Sequence, residues 1–339
     1  MAHDEGRSEV LAAADSSKRT RPIGTGGRMV IAAAAVVMLA AGLWTWRRYT
    51  SSAPSGRPSG TTSISAYQVL ATAAARRAKI PSVPGLERGV PQLVPGLENV
   101  KAGWCVSLAD DLCTIVFDAR WSQAPCGLYI ASRPSMSGPF GNLHAISGCN
   151  SSTLETSNLS LSPSGLELVF RQGGQLFYCR RAARSSEFAT PDPWPVPEVT
   201  GGGRRLALAR FLNDLRVLIS TDTANANPRY RFFLAERADL RSAFGPPQEI
   251  ALRNAPGPRL CLRPDLLIAY AGWDVGLALL GRKSEKEEFG PVVSLYPAAV
   301  CGRVAGPIWV TPGEDVAFYC SPGPGDRLGG ERYIWMIRF

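Results

Sequence analysis

The chain has 339 residues, 45% of them hydrophobic and 19% charged, with a formal charge of +9. That balance belongs to a globular protein with a sizeable core and excludes a disordered or fibrous chain. Of the 37 basic residues 32 are Arg, scattered without a basic helix or interleaved aromatics, so no nucleic-acid surface is expected.

Residues 1–28 are polar, Gly-rich near their end and free of apolar periodicity, and read as a disordered cytoplasmic tail. The next stretch, "MVIAAAAVVMLAAGLWTW" from Met29 to Trp46, is 18 residues without a charge, bounded by Arg28 and by Arg47-Arg48, with Trp44 and Trp46 placed as an interfacial belt. It reads as a transmembrane signal-anchor helix over 29–46. A cleaved signal peptide is the rival, opposed by the long leader and by the lack of a small-x-small cleavage site before Arg47. Lys18, Arg19, Arg21 and Arg28 precede the span and Arg47, Arg48 and Arg57 follow it, a bias that puts the N-terminus in the cytoplasm and the body outside it.

Residues 47–65 form a Ser/Pro/Gly linker, and 66–90 a short helix ("AYQVLATAAARRAK", with Ser65 as its N-cap) and a connector. All eight cysteines lie beyond the span, an even number that suits disulfides in an oxidising compartment. They contain no CxxC pair, so neither metal nor cofactor is expected from them. Cys105 with Cys113, across an expected tight hairpin, is the one pairing that local spacing favours.

From residue 91 to 339 short apolar runs alternate with Gly, Pro, Asn and Asp, the pattern of many short strands. A phrase recurs inside this region. Arg133, Arg181, Arg237 and Arg282 each close an apolar run and each stand seven residues before a Phe: Phe140, Phe188, Phe244 and Phe289. The Phe residues are 48, 56 and 45 positions apart, a period that marks repeated supersecondary units.

Upstream in each unit a polar turn leads into a strand: "SLADDLCTIVF" (107–117), "LSPSGLELVF" (161–170), "ARFLNDLRVLI" (209–219), "CLRPDLLIAY" (261–270) and "VTPGEDVAFY" (310–319). That makes five units of four strands, the last ending early in "RYIWMIRF" with Arg338 in the place of the repeating Arg. Its missing strand is matched by an orphan one, "PQLVPGLENV" (91–100), ahead of the first unit. The expected fold is therefore all-β, a propeller of five four-stranded blades closed by an N-terminal strand. A sixth, degenerate blade from residues 66 to 104 is the alternative.

"LSPSGLELVF" resembles the Ser-Pro-Asp-Gly-led strand of bacterial TolB-like, WD40-like (PD40-type) propeller repeats, with Ser164 in place of the usual Asp. "SPGPGDRLGGERYIW" (321–335) is similar to their Gly-rich loop, and the Arg-to-"FGPP" segment to the blade endings of their extracytoplasmic relatives. The resemblance spans roughly 91–339. It implies a non-catalytic binding platform for a protein or cell-envelope component. The third unit departs from the pattern, with "FLND" where a Pro-led turn is usual.

His144 is the single histidine of the body and has no nucleophile motif beside it. A carbohydrate-cleaving five-bladed propeller, the competing reading, would need a carboxylate pair, for which Asp118, Asp222, Glu236 and Asp274 are the candidates. Inner strands expected over 104–108, 158–162, 206–210, 258–262 and 306–310 place Arg210, Arg259 and Trp309 in the channel lining, where they would meet a polar or anionic ligand. The repeating Arg residues are read as structural, stacking on the Phe rings or bonding turn carbonyls, and the Phe residues as plugs between blades.

Overall fold

A computed structural model describes residues 86–119, 127–149, 156–196, 199, 201, 203–223, 229–252, 255, 257–273, 276–304, 306–322 and 331–339. The expected tail, span, linker and short helix lie outside the described residues. No helix among the described residues is long and apolar enough to cross a membrane.

Five antiparallel sheets of four strands make up the propeller. Blade 1 holds β2 (Ala102–Leu108), β3 (Thr114–Ala119), β4 (Gly127–Ser132) and β5 (Gly141–Ala145). Blade 2 holds β6 (Thr156–Leu161), β7 (Glu167–Gln172), β8 (Gln175–Arg180) and β9 (Asp192–Pro193). Blade 3 holds β10 (Arg205–Asn213), β11 (Arg216–Asp222), β12 (Tyr230–Glu236) and β13 (Gln248–Ile250). Blade 4 holds β14 (Leu260–Leu262), β15 (Ile268–Trp273), β16 (Gly276–Gly281) and β17 (Val293–Pro297), and a one-turn helix α1 (Ala298–Cys301) follows it.

Blade 5 has only β18 (Trp309–Val310), β19 (Val316–Ser321) and β20 (Tyr333–Arg338) from its own stretch of chain. Its fourth strand is β1 (Gln92–Leu93), with Gln92 opposite Met336 and Leu93 opposite Trp335. The Val94 amide donates to the Ile334 carbonyl at 3.0 Å and the Gly89 amide to that of Arg338 at 2.9 Å. Leu86 is 4% exposed, so the blade architecture begins before residue 91, inside what the sequence suggested was a connector. No sixth sheet occurs among the described residues, and 86–104 supply β1 and the start of β2 instead.

The core is not one mass but five layers, one at each junction between blades. Leu128, Leu168 and Phe170 fill the junction of blades 1 and 2; Val169, Val217 and Ile219 that of blades 2 and 3; Leu218, Leu260 and Leu280 that of blades 3 and 4. Leu277, Ile308 and Ile337 fill the next, and Val94, Phe117, Phe318 and Ile334 join blade 5 to blade 1. A central strand such as β3 is buried on both faces because a blade lies on either side, whereas the outermost β5 is largely exposed.

The repeated Arg and Phe act where these layers meet the turns. The guanidinium groups of Arg133, Arg181, Arg237 and Arg282 lie over the rings of Phe140, Phe188, Phe244 and Phe289 at 4.4, 4.8, 4.5 and 5.0 Å. Each Nε also donates to a carbonyl of the turn between the first two strands of its blade: Leu112, Gly165, Asp214 and Leu266, at 2.7 to 2.9 Å. One side chain thus ties two turns of a blade together, while the Phe enters the layer shared with the preceding blade.

In blade 5 the register differs by one residue from the sequence reading. Val316 pairs with Arg338, and it is the Phe339 amide that donates to the Asp315 carbonyl, as the Arg133 amide does to Cys113. Phe339, not Arg338, therefore holds the backbone position of the repeating Arg. Its ring serves as the plug, stacked on Tyr270 at 5.8 Å and on Tyr296 at 6.3 Å between blades 4 and 5.

The turn between the first and second strands has one form in four blades. Leu112, Gly165, Leu266 and Glu314 adopt φ of 58°, 75°, 59° and 56°, and their amides donate back three residues to Ala109, Ser162, Arg263 and Thr311. Blade 3 is the exception already visible in its sequence. Asn213 pairs directly with Arg216, leaving a two-residue turn at Asp214-Leu215 and a bulged β10. Its Arg237, besides donating to Asp214 of its own turn, is held by Glu167 of blade 2, through bonds of 2.8 and 2.5 Å between side chains only 1% and 3% exposed.

The expected disulfide between Cys105 and Cys113 is absent, and seven described cysteines are free. Cys105 sits well inside β2 with its Sγ at 3.7 Å from Asn158 Oδ1, whereas Cys113 lies in the turn beyond the strand's end, so the hairpin separates rather than apposes them.

Two outcomes test this account. Arg133→Met keeps the aliphatic stem but removes the donor and the cation, and is expected to cost about 2 kcal/mol in urea unfolding; a loss below a few tenths would refute the tie. Val94→Pro removes the amide that closes blade 5 and is expected to cost about 3 kcal/mol or more, whereas an unchanged unfolding midpoint would mean that the ring does not depend on β1.

Candidate functional site

Because every blade begins with its innermost strand, β2, β6, β10, β14 and β18 run the same way and the axial channel has two distinct mouths. The near mouth gathers the starting ends of these strands, the far mouth their finishing ends and the turns that follow. Sequence reasoning treated Arg210, Arg259 and Trp309 as one lining set. The structure divides them, with Arg259 at the near mouth and Arg210 and Trp309 at the far one.

The near mouth is a cavity of about 450 Å³. Three cations line it: Arg171 from β7, Arg205 from the first position of β10 and Arg259 just before β14. Its single acid, Asp222, accepts from Arg229 Nε at 2.9 Å and Nη2 at 3.1 Å, so its charge is already matched. Arg171 is anchored by Nη1 to the Leu206 carbonyl at 3.0 Å and by Nη2 to Ser157 Oγ at 3.1 Å. Its Nε–H is buried and has no partner among the described residues, an uncommon state for a guanidinium donor.

Arg205 and Arg259 are exposed, and Arg205 forms no ion pair among the described residues. The wall behind them is held by Asp118, whose carboxylate accepts from the Trp104 amide at 2.8 and 3.0 Å and from the Cys105 amide at 2.6 Å, across an irregular stretch of β2. Gly103 is required there, because a Cβ would come within 2.1 Å of an Asp118 oxygen. Burial, with the nearby Asp118, pushes the Cys105 thiol upward in pKa, which keeps it neutral and inert.

The far mouth is a cavity of about 540 Å³ with the opposite charge balance. Asp110, Asp214, Asp265 and Glu314 line it, set against Arg210 and Arg263. Glu314 accepts from Tyr270 Oη at 3.1 Å and pairs with Arg263 at 3.2 Å, and Arg210 is buried with its guanidinium on the Ile308 carbonyl. Trp309 is 7% exposed and packs edge-on to Phe318, so it offers little surface to a ligand. Burial, with the nearby Asp214 and Asp111, raises the Asp110 carboxyl above its ordinary value.

Of the four carboxylates singled out from sequence, the three that are described do not converge. Asp118 is a buried bracket of β2, Asp222 is paired at the near mouth, Glu236 is exposed and bound to Arg216, and Asp274 lies outside the described residues. His144 is exposed on outer strand β5, with Nδ1 at 2.7 Å from the Asn142 carbonyl and Nε2 at 3.3 Å from Glu187. No group of His, Cys, Asp and Glu among the described residues is arranged to hold a metal ion.

Arg171 and Arg205 were missed by sequence reasoning. Arg171 belongs to a second strand, and only cross-strand pairing with Ser157 brings it to the mouth. Arg205 had a readable signal, standing immediately before the inner-strand run "LALARFL".

No family model matches the chain, and no curated protein matches it. Solved structures do. An α-L-arabinofuranosidase from Podospora anserina, determined with cellotriose, is 13% identical with a TM-score of 0.45, over 76% of this chain and 93% of that one. TolB from Acinetobacter baumannii is 11% identical with a TM-score of 0.40, over 83% and 71%. A protein of unknown function from Dyadobacter fermentans is 11% identical with a TM-score of 0.45, over 76% and 100%. At this distance neither sugar cleavage nor a TolB-like role passes to this chain, and the five-bladed fold rests on its own strand pairing.

Proposed function

We propose that this chain is a non-catalytic binding module, anchored in a membrane by residues 29–46, whose near mouth takes an oxyanion carried by a protein or cell-envelope component. The observation that carries the reading is the charge of the near mouth: Arg171, Arg205 and Arg259 line it, and the one acid in its lining, Asp222, is already bonded to Arg229. A bound carboxylate or phosphate would supply the excess guanidinium charge with a partner through charge-assisted hydrogen bonds. Arg205 and Arg259, exposed at the rim, would meet the charge first and orient it. The anchor and the extracytoplasmic placement are supported by the uncharged run and its flanking Arg residues, not by any disulfide.

A second reading, carbohydrate cleavage, draws on the far mouth, where Asp110 carries a raised pKa beside Asp214. Glycoside hydrolysis uses a pair of carboxyl groups held in different surroundings.

The test uses the full-length protein in mild detergent, with polyglutamate and inorganic phosphate as probes and polylysine as the control, followed by calorimetry at two salt concentrations. Polyglutamate or phosphate is expected to bind, more weakly at higher salt, and Arg205→Glu to weaken that binding at least tenfold without altering thermal stability. Equal binding by the variant, or none by the wild type, would sink the oxyanion reading. Release of reducing sugar from arabinan or xylan that disappears in Asp214→Asn would replace it with the enzymatic one.

A further inference from the structure

Seven free cysteines are described, six of them buried, and they are not equivalent. Cys105 Sγ faces Asn158, accepting its amide at 3.2 Å. Cys301 Sγ is directed to the carbonyls of Tyr296 and Pro297 at 3.6 and 3.5 Å. Cys113 is half-buried in a turn. Cys149 and Cys179 differ from all of these, because their thiols are hydrogen-bonded to each other inside the apolar layer between blades 1 and 2.

Their positions give the contact a mechanical meaning. Cys149 closes a short turn after β5, its amide donating to the Ile146 carbonyl at 3.2 Å, where the chain leaves blade 1. Cys179 lies in β8, opposite Leu168 of β7, within blade 2. Both are nearly inaccessible, at 0% and 2% exposure, in the company of Leu128, Ile146, Leu168 and Phe170. Of the many pairings that eight cysteines allow, the described residues bring two thiols into direct contact in this one.

We infer that Cys149 and Cys179 form a disulfide when the protein folds in an oxidising compartment, fastening the connection out of blade 1 onto the sheet of blade 2. The two thiols give up two protons and two electrons to a low-molecular-weight disulfide oxidant, which leaves as two thiols, and one S–S bond replaces two S–H bonds. Burial makes exchange slow once the junction has packed, so the bond forms during folding and then persists. The inference rests on the extracytoplasmic placement proposed above and is independent of the ligand proposed for the near mouth.

Full-length protein is refolded with glutathione disulfide, or with excess reductant, then digested without reduction and its cross-linked peptides are identified by mass spectrometry. The expected product joins the peptides that hold Cys149 and Cys179. The oxidised wild type should melt higher than the reduced form by about 5 °C or more, a difference lost in Cys149→Ser and kept in Cys105→Ser. Should Cys149→Ser not fold, the wild-type peptide map decides by itself. Two alkylatable thiols at 149 and 179 in the oxidised sample, or a bond from either to another cysteine such as Cys126, would overturn the inference.

Discussion

The last blade of this propeller, with three strands of its own, reaches four only because the other end of the chain supplies one. In this protein the whole weight of that requirement falls on two residues, Gln92 and Leu93, laid along Met336 and Trp335. The ladder is short, and it is reinforced on both sides by amides reaching Ile334 and Arg338 and beneath by Val94, which is wholly buried. Gly96 belongs to the same device. Its φ of 87° and its approach to Phe140, where a Cβ would fall 2.0 Å from the carbonyl oxygen, turn the chain from the closing strand toward blade 1.

Within the ring each blade needs a second kind of closure. Four short antiparallel strands have two turns on the far face, and nothing in a strand ladder holds one turn against the other. The repeated Arg does so by donating to the first turn while its plane covers the Phe beyond the second. Phe339 separates the two halves of that pair. At the end of the chain the cation is dropped, yet an aromatic ring still fills the junction of blades 4 and 5. Apolar filling of the layers is the larger contribution, and the cation adds the turn geometry.

The two mouths acquire opposite character for one topological reason. Turns between first and second strands favour Asp, whose carboxylate accepts nearby amides, as Asp265 does from Leu267 at 3.0 Å, and all five such turns lie around the far mouth. The near mouth is made of strand beginnings and second-strand ends, where no turn chemistry demands acids, and Arg171, Arg205 and Arg259 occupy it. A charge difference along the axis follows from which residues turns require.

The repeat period, the strand-rich pattern, the orphan N-terminal strand and the recurring Arg and Phe were all legible along the chain, because each depends on local spacing that a folded ring preserves. Even the irregularity of blade 3 was written in "FLND". What could not be read there depends on neighbours far apart in sequence: the one-residue register that gives Phe339 the place of an Arg, the separation of Arg210 and Trp309 from Arg259, the arrival of Arg171 from a second strand, and the contact of Cys149 with Cys179 rather than Cys105 with Cys113. Sequence fixes which residues alternate along a strand, but a side chain's partner across a blade junction is set by the packing of two sheets. The architecture was therefore determined by the sequence alone, and the chemistry at its mouths and junctions only by the closed ring.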